Sequence, residues 1–215
     1  MGMSWKMKKL KLPLFISFEG GEGAGKTTLI NSLKSILESE GYSVIATREP
    51  GGTQLGDVIR DILLYRDHHV HMCSKAELFL FLSARAEHVK EVILPSLQED
   101  KIVLCDRFSD SSLAYQGYAR GLGMQDVEAL TNFATDGLKP DLTFFLDLDP
   151  EEGLLRTSKR SKADRIEEQK VEFHKLVREA FTHIAKREPK RVKFIDASES
   201  QEKVLNQTLE MIKNA

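Results

Sequence analysis

The sequence predicts an α/β fold, a five-stranded parallel sheet with helices on both faces, and three observations predict it. Short apolar, β-rich runs recur at 14–19, 43–47, 102–106, 142–146 and 192–196. Between them lie longer stretches whose apolar residues repeat at helical spacing. Such alternation closes into a parallel sheet covered on both sides. The third observation is a glycine-rich segment, Gly20–Thr27, placed between the first run and the first helical stretch.

In chain order, residues 1–11 are basic, hold Trp5, and lack the apolar run and cleavage site of a secretory leader, so they read as a short extension. Residues 12–215 then form one domain, with no repeat, low-complexity tract or linker to divide it. The run Leu14–Glu19 is the first strand, and Leu29, Leu33, Ile36 and Leu37 mark one face of the helix after it. Ser43–Thr47 is the second strand, followed by a turn-rich charged loop, Arg48–Thr53. Leu78, Leu82 and Val89 give a helix within 75–98, Ile102–Asp106 the third strand, and 125–136 another helix. Leu142–Leu146 is the fourth strand. Thr157–Asp164 (TSKRSKAD) reads as a basic lid of about eight residues between two helical patterns, although charge runs are usually solvated faces. Phe173, Leu176, Val177 and Phe181 mark a further helix before the last strand, Val192–Asp196.

Composition narrows the function. With 31 Lys+Arg against 33 Asp+Glu the chain has no global positive field, which argues against nucleic-acid binding but allows a local basic pocket for a small anion. No apolar segment approaches the roughly 20 residues needed to span a bilayer. Cys73 and Cys105 fit neither a disulfide framework nor a metal spacing; they read as buried small hydrophobes in a reducing compartment, and the expected location is cytoplasmic.

Gly20-Gly21-Glu22-Gly23-Ala24-Gly25-Lys26-Thr27 matches G-x-x-x-x-G-K-[ST] in its required strand–loop–helix context, and so predicts a P-loop NTPase. Backbone N–H groups and the helix N-terminus would cradle phosphates, Lys26 would reach the outer ones, and Thr27 would ligate Mg2+. Chance is the alternative, and a random chain of this length shows the pattern about once in a hundred times or less. A P-loop alone does not name a function. Ile102–Asp106 ends in an acid suited to organising magnesium, with Asp147 as a rival. Only Asp106 is followed by arginine, so Asp106-Arg107 sets an acid for the metal beside a fork for a second phosphate. A GTP-dependent switch is disfavoured, because no N-K-x-D stretch is present and the arginines at 48, 60, 85 and 107 suit a second anionic ligand.

Taken together, FEGGEGAGKTT, TREPGGTQLG, DRF at 106–108, LAYQG and ADRIEE fall in an order and spacing that resembles the bacterial type of the thymidylate kinase family, over roughly residues 13–213. The resemblance implies ATP-dependent phosphorylation of dTMP to dTDP in dTTP biosynthesis, with Mg2+, by a homodimer. It implies that Arg60 and Arg107 grip the acceptor phosphate with help from Arg48. Phe81 would stack on thymine and Arg85 bond its edge, the two lying four apart on one helix face; plain core is the alternative for Phe81. Ser112 and Gln116 match base-contacting positions, Tyr115 the tyrosine that crowds the sugar 2′ position, and Glu22 the acid near the 3′-hydroxyl, with an uninvolved surface glutamate as its alternative. Because Gly23 stands where some members carry a P-loop arginine, Arg160 in the lid is the expected catalytic arginine. Lys159 and Lys162 are competing cations, and Arg165 is either a further candidate or a structural ion-pair residue.

Overall fold

The computed structural model describes residues 10–64, 72–158 and 164–214. Five strands, β1 (Leu14–Gly20), β2 (Val44–Arg48), β3 (Ile102–Asp106), β4 (Leu142–Asp147) and β5 (Val192–Asp196), form one parallel sheet in the order β2-β3-β1-β4-β5. The central strands are mostly apolar because both of their faces are covered, and the polar residues within them, Ser17, Glu19 and Thr143, are buried. In β3, Ile102 and Leu104 point into one core with Ile16, Phe18 and Phe144, while Val103 and Cys105 point into the other with Phe15 and Phe108.

The helices are α1 (Lys26–Ser39), α2 (Gln54–Leu64), α3 (Ser74–His88), α4 (Leu94–Gln98), α5 (Ser109–Ser112), α6 (Met124–Ala134), α7 (Pro150–Ser158), α8 (Val171–Arg187) and α9 (Gln201–Lys213). A π-helical turn, Val89–Ile93, joins α3 to α4 without a break, and a second, Leu113–Ala119, continues α5. Pro95 accounts for the first: its ring crowds the carbonyl four residues back, at Glu91, and a widened turn there relieves the clash.

Three expectations are corrected. Cys73 is exposed, because it caps the start of α3 instead of packing inside it; Cys105 is buried. Thr157 and Ser158, expected in the lid, form the last residues of α7. Strand β2 lies one residue later than expected, since its register pairs Val44 with Ile102 and Arg48 with Asp106. That register and the pairing of Phe18 with Asp106 bring the ends of β1, β2 and β3 to one edge, where ligands of open α/β sheets collect.

Candidate active site

The P-loop leaves β1 at Gly20 and enters α1 through Gly25, whose φ of 87° is left-handed and so suits a residue without Cβ. Lys26 is 7% exposed and its Nζ donates to the carbonyls of Gly20 (3.3 Å) and Gly21 (2.9 Å). Burial and then the neighbouring Arg107 lower its pKa, opposed by Asp106, Glu22 and Glu19. Beside it, Thr27 Oγ1 donates to Asp106 Oδ2 at 2.7 Å, joining the loop to the end of β3. These oxygens face a cleft of about 920 Å³ lined by the loop from Glu22 to Thr28 and by Arg48, Arg60, Asp106, Arg107 and Glu167. Asp147 is not there: Arg178 holds both its oxygens at 2.7 Å.

Arg107 adopts φ 69°, a left-handed conformation that costs a side-chain-bearing residue on the order of 1–2 kcal/mol. The turn aims its guanidinium back at the P-loop, where Nη1 donates to Gly20 O at 2.8 Å and Nη2 to Glu22 Oε1 at 2.6 Å. Tyr115 donates its hydroxyl to the same Glu22 oxygen at 3.1 Å, and its ring lies 5.1 Å under the guanidinium. Burial would raise the Glu22 pKa, but Arg107 and Lys26 more than offset it and hold the carboxyl below its usual range. Glu22 is therefore tied into the site. A buried partner holds the Arg107 turn in place: Glu19 accepts from Phe108 N at 2.8 Å and from Ser111 Oγ at 2.5 Å.

A second cavity of about 90 Å³ shares Glu22, Glu49, Arg60 and Arg107 with the first and is lined also by Phe81, Arg85, Ser112, Tyr115 and Gln116. Phe81 and Arg85 thus reach one cavity from one face of α3. Arg85 is 1% exposed; its Nε donates to Glu49 Oε2 (2.7 Å), Nη1 to Ser112 Oγ (2.9 Å) and Nη2 to Phe108 O (3.0 Å). Behind it, His88 bridges Glu49 Oε1 (3.0 Å) and Thr47 Oγ1 (2.6 Å). Burial pushes the Glu49 carboxyl up, while Arg85 and His88 pull it below its ordinary value.

Arg60 donates to Pro50 O at 2.8 Å and faces both cavities, whereas Arg48 is exposed and sits 3.8 Å from Asp57. Arg160, Lys159 and Lys162 lie outside the described residues. Arg165 is placed away from the cleft: its Nε donates to Leu63 O at 2.7 Å and its Nη1 pairs with Glu77 at 2.7 Å, which is the structural alternative. Sequence reasoning missed Glu19, Glu49, His88, Glu77 and Glu167. It also missed Arg156, which reaches toward Gly23 O and Ala197 O beside a cavity of about 310 Å³ between the P-loop and the start of α9. The segments FEGG, TREP and ADRIEE were already marked, so Glu19, Glu49 and Glu167 had a signal; the others had none beyond residue type.

The family model described as Thymidylate kinase matches residues 18–208. A thymidylate kinase of Protochlamydia amoebophila is 49% identical over 205 residues, covering 92% of this chain and 91% of its own length. One from Shouchella clausii is 47% identical over 205 residues, covering 94% and 96%. Among solved structures, thymidylate kinase from Ehrlichia chaffeensis superimposes with a TM-score of 0.73 at 34% identity, covering 93% of this chain and 98% of that one. A P-loop joined to a strand-end acid, an arginine turned onto that loop, and likeness along nearly the whole chain agree: this chain belongs to the thymidylate kinase family.

Proposed function

We propose that the chain transfers the γ-phosphoryl group of ATP to dTMP, giving ADP and dTDP. The observation that carries this reading is the sharing of Glu22, Glu49, Arg60 and Arg107 by the P-loop cleft and the smaller cavity, which sets two ligands end to end. An acceptor phosphate oxygen bonds to the γ-phosphorus as the bond to the β,γ-bridging oxygen breaks, and that electron pair leaves with ADP. Rate enhancement then comes from positioning and charge, with no covalent intermediate.

Lys26 and the N–H groups of residues 20–25 hold the donor phosphates, and Arg107 with Arg60 holds the acceptor phosphate, Arg48 assisting at the rim. Phe81, Arg85, Ser112 and Gln116 receive the base, Tyr115 the sugar at its 2′ carbon and Glu22 its 3′-hydroxyl. The cavity beside Arg156 is suited to the adenosine end of ATP, because it adjoins Gly23–Gly25 without touching the acceptor residues. The hydroxyl of Thr27 and the carboxylate of Asp106 are hard oxygen donors of the kind Mg2+ accepts. Once bound there, Mg2+ would neutralise phosphate charge as it shifts onto the leaving group. Arg160 supplies the positive charge over the transferred group.

A homodimer is supported by apolar residues left in solvent on three helices that pack in series: Leu55 and Val58 of α2, Phe79 of α3, and Leu130 and Phe133 of α6. Among the described residues no helix is long and apolar enough to cross a membrane. A cytoplasmic setting suits the two free cysteines, one of them exposed. The test is an acceptor panel with ATP. The reading expects dTMP to be the best acceptor by kcat/KM; a better rate with AMP or dCMP, or GTP hydrolysis without any acceptor, would overturn it.

A further inference from the structure

We infer that Glu77 sets the base preference of the acceptor cavity, by holding the Gln116 amide with its NH2 group turned inward so that its carbonyl oxygen is the end offered to a pyrimidine bearing a proton on N3. The inference rests on the reading that the smaller cavity receives the acceptor's base.

Glu77 lies in the first turn of α3 and is 2% exposed. Donors converge on it from two other parts of the chain: from the π-helical turn after α5 and its cap, Gln116 Nε2 at 2.9 Å with Arg120 Nε at 3.3 Å and Nη2 at 3.4 Å, and from the segment before α8, Arg165 Nη1 at 2.7 Å. Burial alone would raise its pKa, but the Gln116 hydrogen bond and the two guanidinium groups more than offset this, so the carboxyl is ionised at neutral pH. An ionised carboxylate only accepts. Gln116 can therefore meet it through NH2 alone, since the flipped amide would set oxygen against oxygen in a buried site.

Gln116 is itself 2% exposed and lines the cavity with Phe81, Arg85, Ser112 and Tyr115. With its NH2 end committed to Glu77, the end left over is an acceptor. Arg85, on the same wall, has no acceptor atom and can only donate. Arg85 and Gln116 thus present one donor and one acceptor side by side. Thymine and uracil complement it with a 4-carbonyl and an N3–H; cytosine carries an amine and a bare N3 in those places and meets donor with donor and acceptor with acceptor. Buried polar groups left unpaired in this way discriminate far more strongly than a change of shape. Glu77 is a positioning residue, two contacts from the base.

A merely structural Glu77, anchoring Arg165 and Arg120, would lower activity without regard to the base. The test is therefore a ratio: kcat/KM for dTMP over that for dCMP, with dUMP alongside, in the parent, Glu77→Gln and Arg120→Ala. A glutamine at 77 accepts either orientation of the Gln116 amide, so the ratio should fall at least tenfold, mostly through KM, while dUMP follows dTMP within about threefold. Arg120→Ala removes a neighbour but keeps the carboxylate facing Gln116, and its ratio should stay within about threefold of the parent. Equal losses for dTMP and dCMP in Glu77→Gln, or an equal fall of the ratio in Arg120→Ala, would overturn the inference. Should Glu77→Gln not fold, Glu77→Asp keeps the charge and withdraws it from Gln116 by one methylene; the same tenfold fall is expected, and an unchanged ratio overturns the inference. A parent that did not phosphorylate dTMP would instead remove the functional reading itself.

Discussion

Gly23 of the P-loop and Gly153 of α7 meet backbone to backbone. A Cβ on Gly23 would lie 2.3 Å from the carbonyl oxygen of Gly153, and a Cβ on Gly153 would lie 2.2 Å from that of Glu22. Gly23 also holds φ 68°, so any side chain there is both strained and obstructed. The loop therefore has no room for an arginine at this position, and the positive charge over the transferred phosphoryl group must come from elsewhere.

Arg160 is the expected source. Arg160→Ala should lower kcat by about 10³ or somewhat less, since fingers acting alone are worth 10³–10⁵ and Lys159 and Lys162 can substitute in part. KM values should change little, because the contact belongs to the transition state. Steady-state rates at saturating ATP and dTMP check this, and a kcat within about twofold of the parent would point to the lysines instead.

Arg107→Lys should raise KM for dTMP at least tenfold, about 1.4 kcal/mol, with KM for ATP within about threefold of the parent. The planar fork that now spans Gly20 O and Glu22 cannot be copied by an ammonium. Initial-rate kinetics with each substrate varied would show it. A variant with normal dTMP kinetics and weakened ATP binding would reverse the assignment.

Glu19 carries a pH signature. Burial first, and then the nearby Asp110, raise its pKa from 4.5 to about 8, against the opposing effects of Ser111, Arg107 and the Phe108 N–H. A carboxyl raised on folding holds a proton in the native state that the unfolded chain releases. Its contribution to stability is therefore complete below about 4.5 and is lost as pH rises toward 8. Glu19→Gln is neutral throughout, so its Tm should gain on the parent's as pH rises from 5 to 8. Thermal melts across that range test this, and a difference independent of pH would contradict it.

Phe133 is 85% exposed on α6. Phe133→Asp should shift the protein from twice the chain mass to the chain mass in light scattering, with the Tm of the separated chains lowered. An unchanged mass would move the dimer contact away from α6.

The strands were legible because a covered sheet leaves short, mostly apolar runs, and four of the five begin on the expected residue. The P-loop, Asp106 and Arg107 were legible because phosphate binding demands residue types at fixed spacing. The buried pairs were not. Glu19 meets Ser111, Glu49 meets Arg85 and His88, and Asp110 meets Arg191 across 92, 36, 39 and 81 residues of chain, and no local pattern marks which carboxylates will be enclosed. Cys73 shows the converse: one residue before the start of α3, its exposure follows from the boundary and not from its residue type.

Transfer from ATP to a thymidine monophosphate held by Arg107 beside the Thr27–Asp106 pair can be followed by ³¹P NMR of the protein with ATP, dTMP and Mg2+, alongside Lys26→Ala. One dTDP should form for each ATP consumed, with negligible ATP loss without dTMP, and a Lys26→Ala variant that remains folded should keep less than about a tenth of the parent rate, a loss above about 1.4 kcal/mol. Inorganic phosphate released in place of dTDP, or a Lys26→Ala variant keeping more than that tenth, would contradict it.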